Sequence, residues 1–194
     1  SSMTDAGSNA MHSNAHWTRP MHRCLVLLVL VAIASAANAD LSGTERRIVS
    51  AVDTNQTAAM KLIAETVDIQ SATENHAGVR KVGDVFAREL AALGFETRWV
   101  DLPPQVGRAG HLVSVHRGTQ GQRLLLIGHL DTVLQGEAFR VAGNRAYGTG
   151  IADMKGGDVI VVEALRALHA TGALKDRQVI VVFTGDEESA GAPQ

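Results

Sequence analysis

Two residues able to bind a metal or move a proton, His129 and Asp131, stand two apart directly after the apolar run Leu124-Leu125-Leu126-Ile127. On extended backbone, positions i and i+2 share a side, so a strand ending here aims both side chains at one place. Asp153 follows in the glycine-rich stretch Gly148-Thr149-Gly150-Ile151-Ala152-Asp153-Met154-Lys155-Gly156-Gly157, and Glu187-Glu188 follow the apolar run from Val179 to Phe183. One imidazole with several carboxylates is a nitrogen-and-oxygen donor set suited to zinc or a similar divalent ion. Each piece alone has a plainer explanation. His129 and Asp131 could form a hydrogen-bonded corner, the glycines a packing or anion-binding helix start, and the glutamates a solvated face. In combination, at strand-to-loop junctions where α/β proteins place their chemistry, they point to one site.

Helices and strands must bring these residues together. Apolar spacing predicts an amphipathic helix from Gly43 to about Val67, and another from His76 to Leu93 with Val79, Val82, Phe86, Leu90 and Leu93 on one face; Gly94 stops it. Strands are expected over Phe95 to Val100, Leu112 to His116, Arg123 to Ile127 and Gln178 to Phe183, the second and third joined by a turn at Gly118 to Gly121. A short hairpin fits Ala138 to Tyr147, turning at Gly143-Asn144, and a helix fits Lys155 to Ala170. Strands alternating with helices imply an α/β fold, a mixed, mainly parallel sheet flanked by helices.

With 194 residues, 45% of them hydrophobic, the chain can bury one core. Net charge is −2 without charge blocks, and 4% of residues are aromatic; with neither a basic stripe nor a stacking platform, nucleic acid is not expected as a partner. Met21-His22-Arg23, the apolar run from Cys24 to Ala34 and Ala37-Asn38-Ala39 before Asp40 have the pattern of a secretory signal peptide over residues 21–39. Residues 1–20 are then a disordered leader or tag, and the mature protein, periplasmic or secreted, starts near Asp40 with no stable membrane anchor. Cys24 is the sole cysteine, so cleavage would leave no thiol for a disulfide, a nucleophile or a ligand.

At the chemical residues the sequence resembles the M20 family of metallopeptidases, and within it the glutamate carboxypeptidase type. The likeness lies in Gly128-His129-Leu130-Asp131-Thr132-Val133, in Phe139-Arg140-Val141, in Tyr147 through Gly157, and in Phe183-Thr184-Gly185-Asp186-Glu187-Glu188, with a weaker match at Ser71 through Asn75 and Gly78-Val79. It covers residues 45 to 194. The resemblance implies the N-terminal portion of a zinc-dependent exopeptidase-like catalytic domain over residues 40–194. The rest of that domain, and the inserted lid or dimerisation domain that a homodimer would need, are expected to be absent.

The resemblance further implies two zinc ions, for which cobalt or manganese could substitute. His129 would bind one metal, Asp153 bridge both and Glu188 bind the second. Asp131 would hold the imidazole of His129. Glu187 would be the general base, although spacing alone also allows Glu187 and Glu188 to exchange roles. A cis peptide is implied between Asp153 and Met154. The family's remaining ligands, a carboxylate and a late histidine, would fall beyond Gln194, so this length of chain is expected to be inactive alone. Implied substrates are peptides or N-acyl amino acids. The chemistry is a carboxypeptidase-like amide hydrolysis; the alternatives are an N-acyl-amino-acid deacylase, or an inactive or binding module. Asp186, His76, His111, His116 and His169 are expected to be structural or surface residues.

Overall fold

The computed structural model describes residues 40–191. The leader expected over 1–20 and the signal peptide expected over 21–39, with Cys24, lie outside the described residues. The compact unit that begins at Ser42 carries α1 (Gly43–Asp68), α2 (His76–Ala92), β1 (Glu96–Val100), β2 (His111–His116), β3 (Gln120–His129), the hairpin β4 (Arg140–Ala142) and β5 (Arg145–Tyr147), α3 (Gly156–Ala170) and β6 (Arg177–Thr184).

Local chemistry explains where the helices begin. Ser42 caps α1 reciprocally with Glu45: the Glu45 amide donates to Ser42 Oγ at 3.2 Å, and the Ser42 amide to Glu45 Oε2 at 2.6 Å. Asn75 caps α2, its Oδ1 accepting from the Gly78 amide at 3.1 Å. Gly94, at φ 86°, takes the left-handed turn after α2.

Four strands form one sheet in the order β1-β2-β6-β3. Its mixed character and flanking helices match the sequence expectation, but the balance differs: β1–β2 and β2–β6 are antiparallel, and only β3–β6 is parallel. The reason lies in Arg117-Gly118-Thr119. Instead of folding β2 directly onto β3, this link crosses the start of β6, which inserts between them. Gly118 lies against the Asp176 backbone with no room for a Cβ, so only glycine fits the crossing.

Val179, Val181 and Phe183 of β6 are buried with Val79, Val82, Phe86 and Leu90 of α2 and Val159, Val162 and Leu165 of α3. Phe86 meets Phe183 edge-on, with centroids 5.1 Å apart and planes at 69°. Because strand residues alternate, Val113, Val115, Ile180 and Val182 face the other way and stay partly exposed, in register with the exposed Leu125 and Ile127. Both β3 and β6 reach the same end of the sheet with their C-termini, which delivers His129 and the acidic run after Thr184 to neighbouring places. No helix of the described residues is long and apolar enough to cross a membrane.

Candidate metal centre

His129 is the last residue of β3, paired in register with Thr184 at the end of β6. Parallel pairing therefore puts the imidazole beside Glu187 and Glu188, although nearly sixty residues separate them in sequence. His129, Glu187 and Glu188 each offer a ligand atom, all within 4.8 Å of one another. Donors sharing one tetrahedral ion with bonds of about 2 Å stand roughly 3.3 Å apart, so a closure of up to roughly 1.5 Å would complete the set. The donor chemistry fits a divalent cation.

Asp131 organises this cluster. It is fully buried, its Oδ1 accepting from the Glu187 amide at 3.2 Å and its Oδ2 from the Glu188 amide at 3.1 Å and from Thr73 Oγ1 at 2.7 Å. Burial alone would raise its pKa, but hydrogen bonds from His129, Thr73 and the two amides outweigh that and hold the carboxyl below its usual range. The sequence expectation had Asp131 gripping the His129 ring. In the structure the shorter contact from Nδ1 goes to the Asp131 carbonyl oxygen, at 3.1 Å, with carboxylate Oδ1 at 3.5 Å. The same residue thus orients the histidine and ties down the glutamate loop.

Asp153 stands beside the three-residue donor group. Its Oδ1 is 3.0 Å from His129 Nε2, while its side chain is 75% exposed and free to move toward a cation. Glu187 Oε2 lies 3.8 Å from the same nitrogen. Burial pulls the His129 pKa down, yet Asp131 and Asp153 win, and it is pushed up to about 9. The metal-free ring is then doubly protonated, donating from both nitrogens. Glu188 is pushed up by partial burial and by the neighbouring Asp153, Glu187 and Asp131. A cationic occupant would relieve the crowded acids, and to bind it has to displace the proton held by His129.

The backbone around Asp153 is specialised as the resemblance implied: the Asp153–Met154 peptide is cis, within a wide turn over Ile151–Lys155 that runs into α3. Gly150, at φ 75°, starts that turn against the Thr132 methyl group, where a Cβ would collide. Lys155 is buried, with Nζ donating to the Ile69 carbonyl at 2.8 Å; burial pushes its pKa down to about 8 against the opposing charges of Asp158 and Asp68. Asp158 is also fully buried, neither carboxyl oxygen has a hydrogen-bond partner, and burial pushes it up to about 8.

Three supports escaped the sequence reading. Thr73 was visible only as part of the weak match at Ser71–Asn75, yet it anchors Asp131. Ser71 Oγ donates to the Leu130 carbonyl at 2.9 Å, and Ala72 bridges Thr132. Asp158 had no signal beyond its place two residues after Lys155-Gly156. Asp186 lies outside the donor group, 3.8 Å from His111 Nδ1.

Fold and donor set together define an α/β domain with a candidate divalent-metal centre. Residues 125–194 match the family model described as Peptidase family M20/M25/M40, so that segment is similar to M20 peptidases. It is 33% identical over 174 residues to Carboxypeptidase G2 of Pseudomonas sp. (strain RS-16), a match covering 87% of this chain and 41% of that protein. A succinyl-diaminopimelate desuccinylase of Leptothrix cholodnii is 33% identical over 139 residues, 66% of this chain and 36% of that protein. Among solved structures, the di-peptidase Dug1p of Saccharomyces cerevisiae shares the fold, with a TM-score of 0.64 at 16% identity over 74% of this chain and 35% of that one. The chain spans about two fifths of the length of the curated relatives it matches.

Proposed function

We propose that this chain supplies part of a metal-dependent amide hydrolase of the glutamate carboxypeptidase type, acting with two zinc ions on a peptide or N-acyl amino acid. The observation that carries this reading is the convergence of His129, Glu187 and Glu188 at the ends of β3 and β6, with buried Asp131 holding all three. Bound zinc would polarise the scissile carbonyl and acidify water. His129, Asp153 and Glu188 are the residues assigned to hold it. Glu187, more exposed than Glu188, with its amide tied to Asp131 and its carboxylate 3.8 Å from His129 Nε2, is assigned as the base. It takes a proton from the attacking water and passes it to the leaving nitrogen; the C–N bond breaks, releasing a carboxylic acid and an amine. A pure binding module would have no use for a mobile carboxylate beside a metal.

An N-acyl-amino-acid deacylase is the second reading, supported by the likeness to a desuccinylase. Both readings predict the same division of labour. Glu187→Ala should keep zinc content near that of the unmodified protein while lowering hydrolysis of an N-acyl glutamate by about 10²–10⁴-fold. Glu188→Ala and His129→Ala should instead lose zinc. Metal analysis of the purified variants, beside hydrolysis assays in the complete protein, checks both. Zinc lost from Glu187→Ala but kept in Glu188→Ala would reverse the two glutamate roles.

A further inference from the structure

Strand β6 ends at Thr184, so the chain reaches Glu187 and Glu188 with no strand partner. Among the described residues, no backbone-to-backbone hydrogen bond involves positions 186–191. Asp131 holds the first half of this stretch, through the amides of Glu187 and Glu188. Arg108 holds the second half. Its Nε donates to the Ser189 carbonyl at 2.7 Å, and its Nη2 to Ser189 Oγ at 3.0 Å and to the Ala190 carbonyl at 3.2 Å. Its Nη1 donates to the Gly107 carbonyl at 2.7 Å and lies 3.3 Å from Glu74 Oε1. Ser189 and Ala190 are exposed, but the Arg108 side chain is only 13% exposed, so water competes poorly for its donors.

Local sequence delivers the arginine. Pro104–Val106 makes one tight turn, and Gly107, at φ 65°, closes it in the left-handed region. Gly191 packs against Val106 with no room for a Cβ, so the loop after Glu188 lies directly against that turn. A guanidinium offers donors in a rigid planar fork, which lets one side chain reach two loop carbonyls, a hydroxyl and a carboxylate together. Glu74 follows Thr73, which anchors Asp131, so both grips on the loop are tied to the same short segment.

The two grips act differently on the two glutamates. Glu187 has its own amide and the next one held by Asp131, and needs little from Arg108. Glu188 has its amide held by Asp131, but beyond its Cα the first fixed group is the Ser189 carbonyl, held by Arg108. Without that bond the backbone after Glu188 can turn, and its carboxylate loses a fixed direction.

We infer that Arg108 is a positioning residue, which fixes the backbone after Glu188 and so sets that carboxylate at the metal. The inference rests on the hydrolase reading above, which assigns Glu188 to zinc.

Metal binding tests this without turnover. In the complete protein, zinc affinity is measured by competition with a chromophoric chelator, and the visible absorption of the cobalt(II)-loaded protein reports ligand geometry. Arg108→Ala should weaken binding of one zinc equivalent about 10–100-fold, as loss of a group supporting a ligand does, and should alter the cobalt bands. Arg108→Lys keeps the charge without the fork and should recover only part of the affinity. Leu90→Val trims the core of α2 away from the loop; it should lower the urea midpoint while zinc affinity and cobalt bands stay as they were. Should Arg108→Ala fail to fold, the same two readings on Arg108→Lys decide. An affinity and spectrum unchanged in either arginine variant, or changed equally in Leu90→Val, would overturn the inference alone. A complete protein that takes up no zinc would overturn the hydrolase reading and this inference with it.

Discussion

At His129 a proton and a cation compete for one nitrogen, and that competition sets how the site responds to pH. The imidazole is pushed up to about 9 from an ordinary 6.5. Its contribution to the stability of the metal-free fold is therefore whole below about pH 6.5 and lost as pH rises through 9. Asp158 acts in the same direction. Burial pushes it up to about 8 from 3.8, so its neutral form suits the fold and its ionisation opposes it over that interval. We expect the metal-free protein to lose stability from about pH 6 to 8, as followed by urea unfolding across a pH series. Above 8 the deprotonation of Lys155, whose pKa burial pushes down to about 8, opposes the remaining His129 loss. Asp158→Asn, which removes a buried ionisable group whose oxygens have no hydrogen-bond partner, should flatten the decline. Zinc affinity should rise over the same window, because the His129 proton must leave first. A metal-free stability that rises from about pH 6 to 8 would contradict this account of both groups.

Among the elements, α2 and β6 carry the packing that keeps the site in place. Phe86 and Phe183 are wholly buried and meet edge-on at the centre of the core. Phe86→Ala should cost about 3–5 kcal/mol, seen as a lower urea midpoint with an unchanged slope. The wide turn before α3 is a different kind of constraint. With a left-handed Gly150 pressed against the Thr132 methyl, Gly150→Ala faces both an unfavourable φ and a collision, and the two strain the loop that carries Asp153. Its expected effect is a zinc site weakened more than the fold: metal content should fall while the far-ultraviolet circular dichroism remains that of the unmodified protein.

For the molecule as a whole, one sheet face decides behaviour in solution. Val113, Val182 and Ile127 form one row and Val115, Ile180 and Leu125 a second, on the side away from the helical core. Among the described residues, Ile127 is 63% exposed and Leu125 56%, on β3, an outer strand of the sheet. Such a face should bind an apolar fluorescent dye and promote association as concentration rises. Ile127→Thr, which retains β-branching on the strand, should lower both dye fluorescence and the mass measured by light scattering. Export is a separate proposal, carried by the pattern over residues 21–39: N-terminal sequencing of protein recovered outside the cytoplasm should begin at or near Asp40. Recovery of a cytoplasmic chain with Cys24 intact would overturn it.

Local rules made much of this legible in advance. The 3.6-residue spacing of α2, its stop at Gly94, the Gly143-Asn144 hairpin turn and the delivery of His129 by a strand all depend on neighbours close in sequence, and the corresponding elements stand where the residues predicted them. Residue types alone also marked His129, Asp131, Asp153, Glu187 and Glu188 as donors. Spacing along the chain could not decide that β6 slides between β2 and β3, because that order depends on long-range pairing across the Gly118 crossing. Nor could it assign Asp131 its second task. Thr73, Glu187 and Glu188 reach that carboxylate from segments more than fifty residues away, so their hydrogen bonds exist only after the sheet has formed. Sequence determined which atoms could hold a metal; tertiary structure decided that they meet, since strand pairing brings distant residues within hydrogen-bonding distance and periodicity reports only near neighbours.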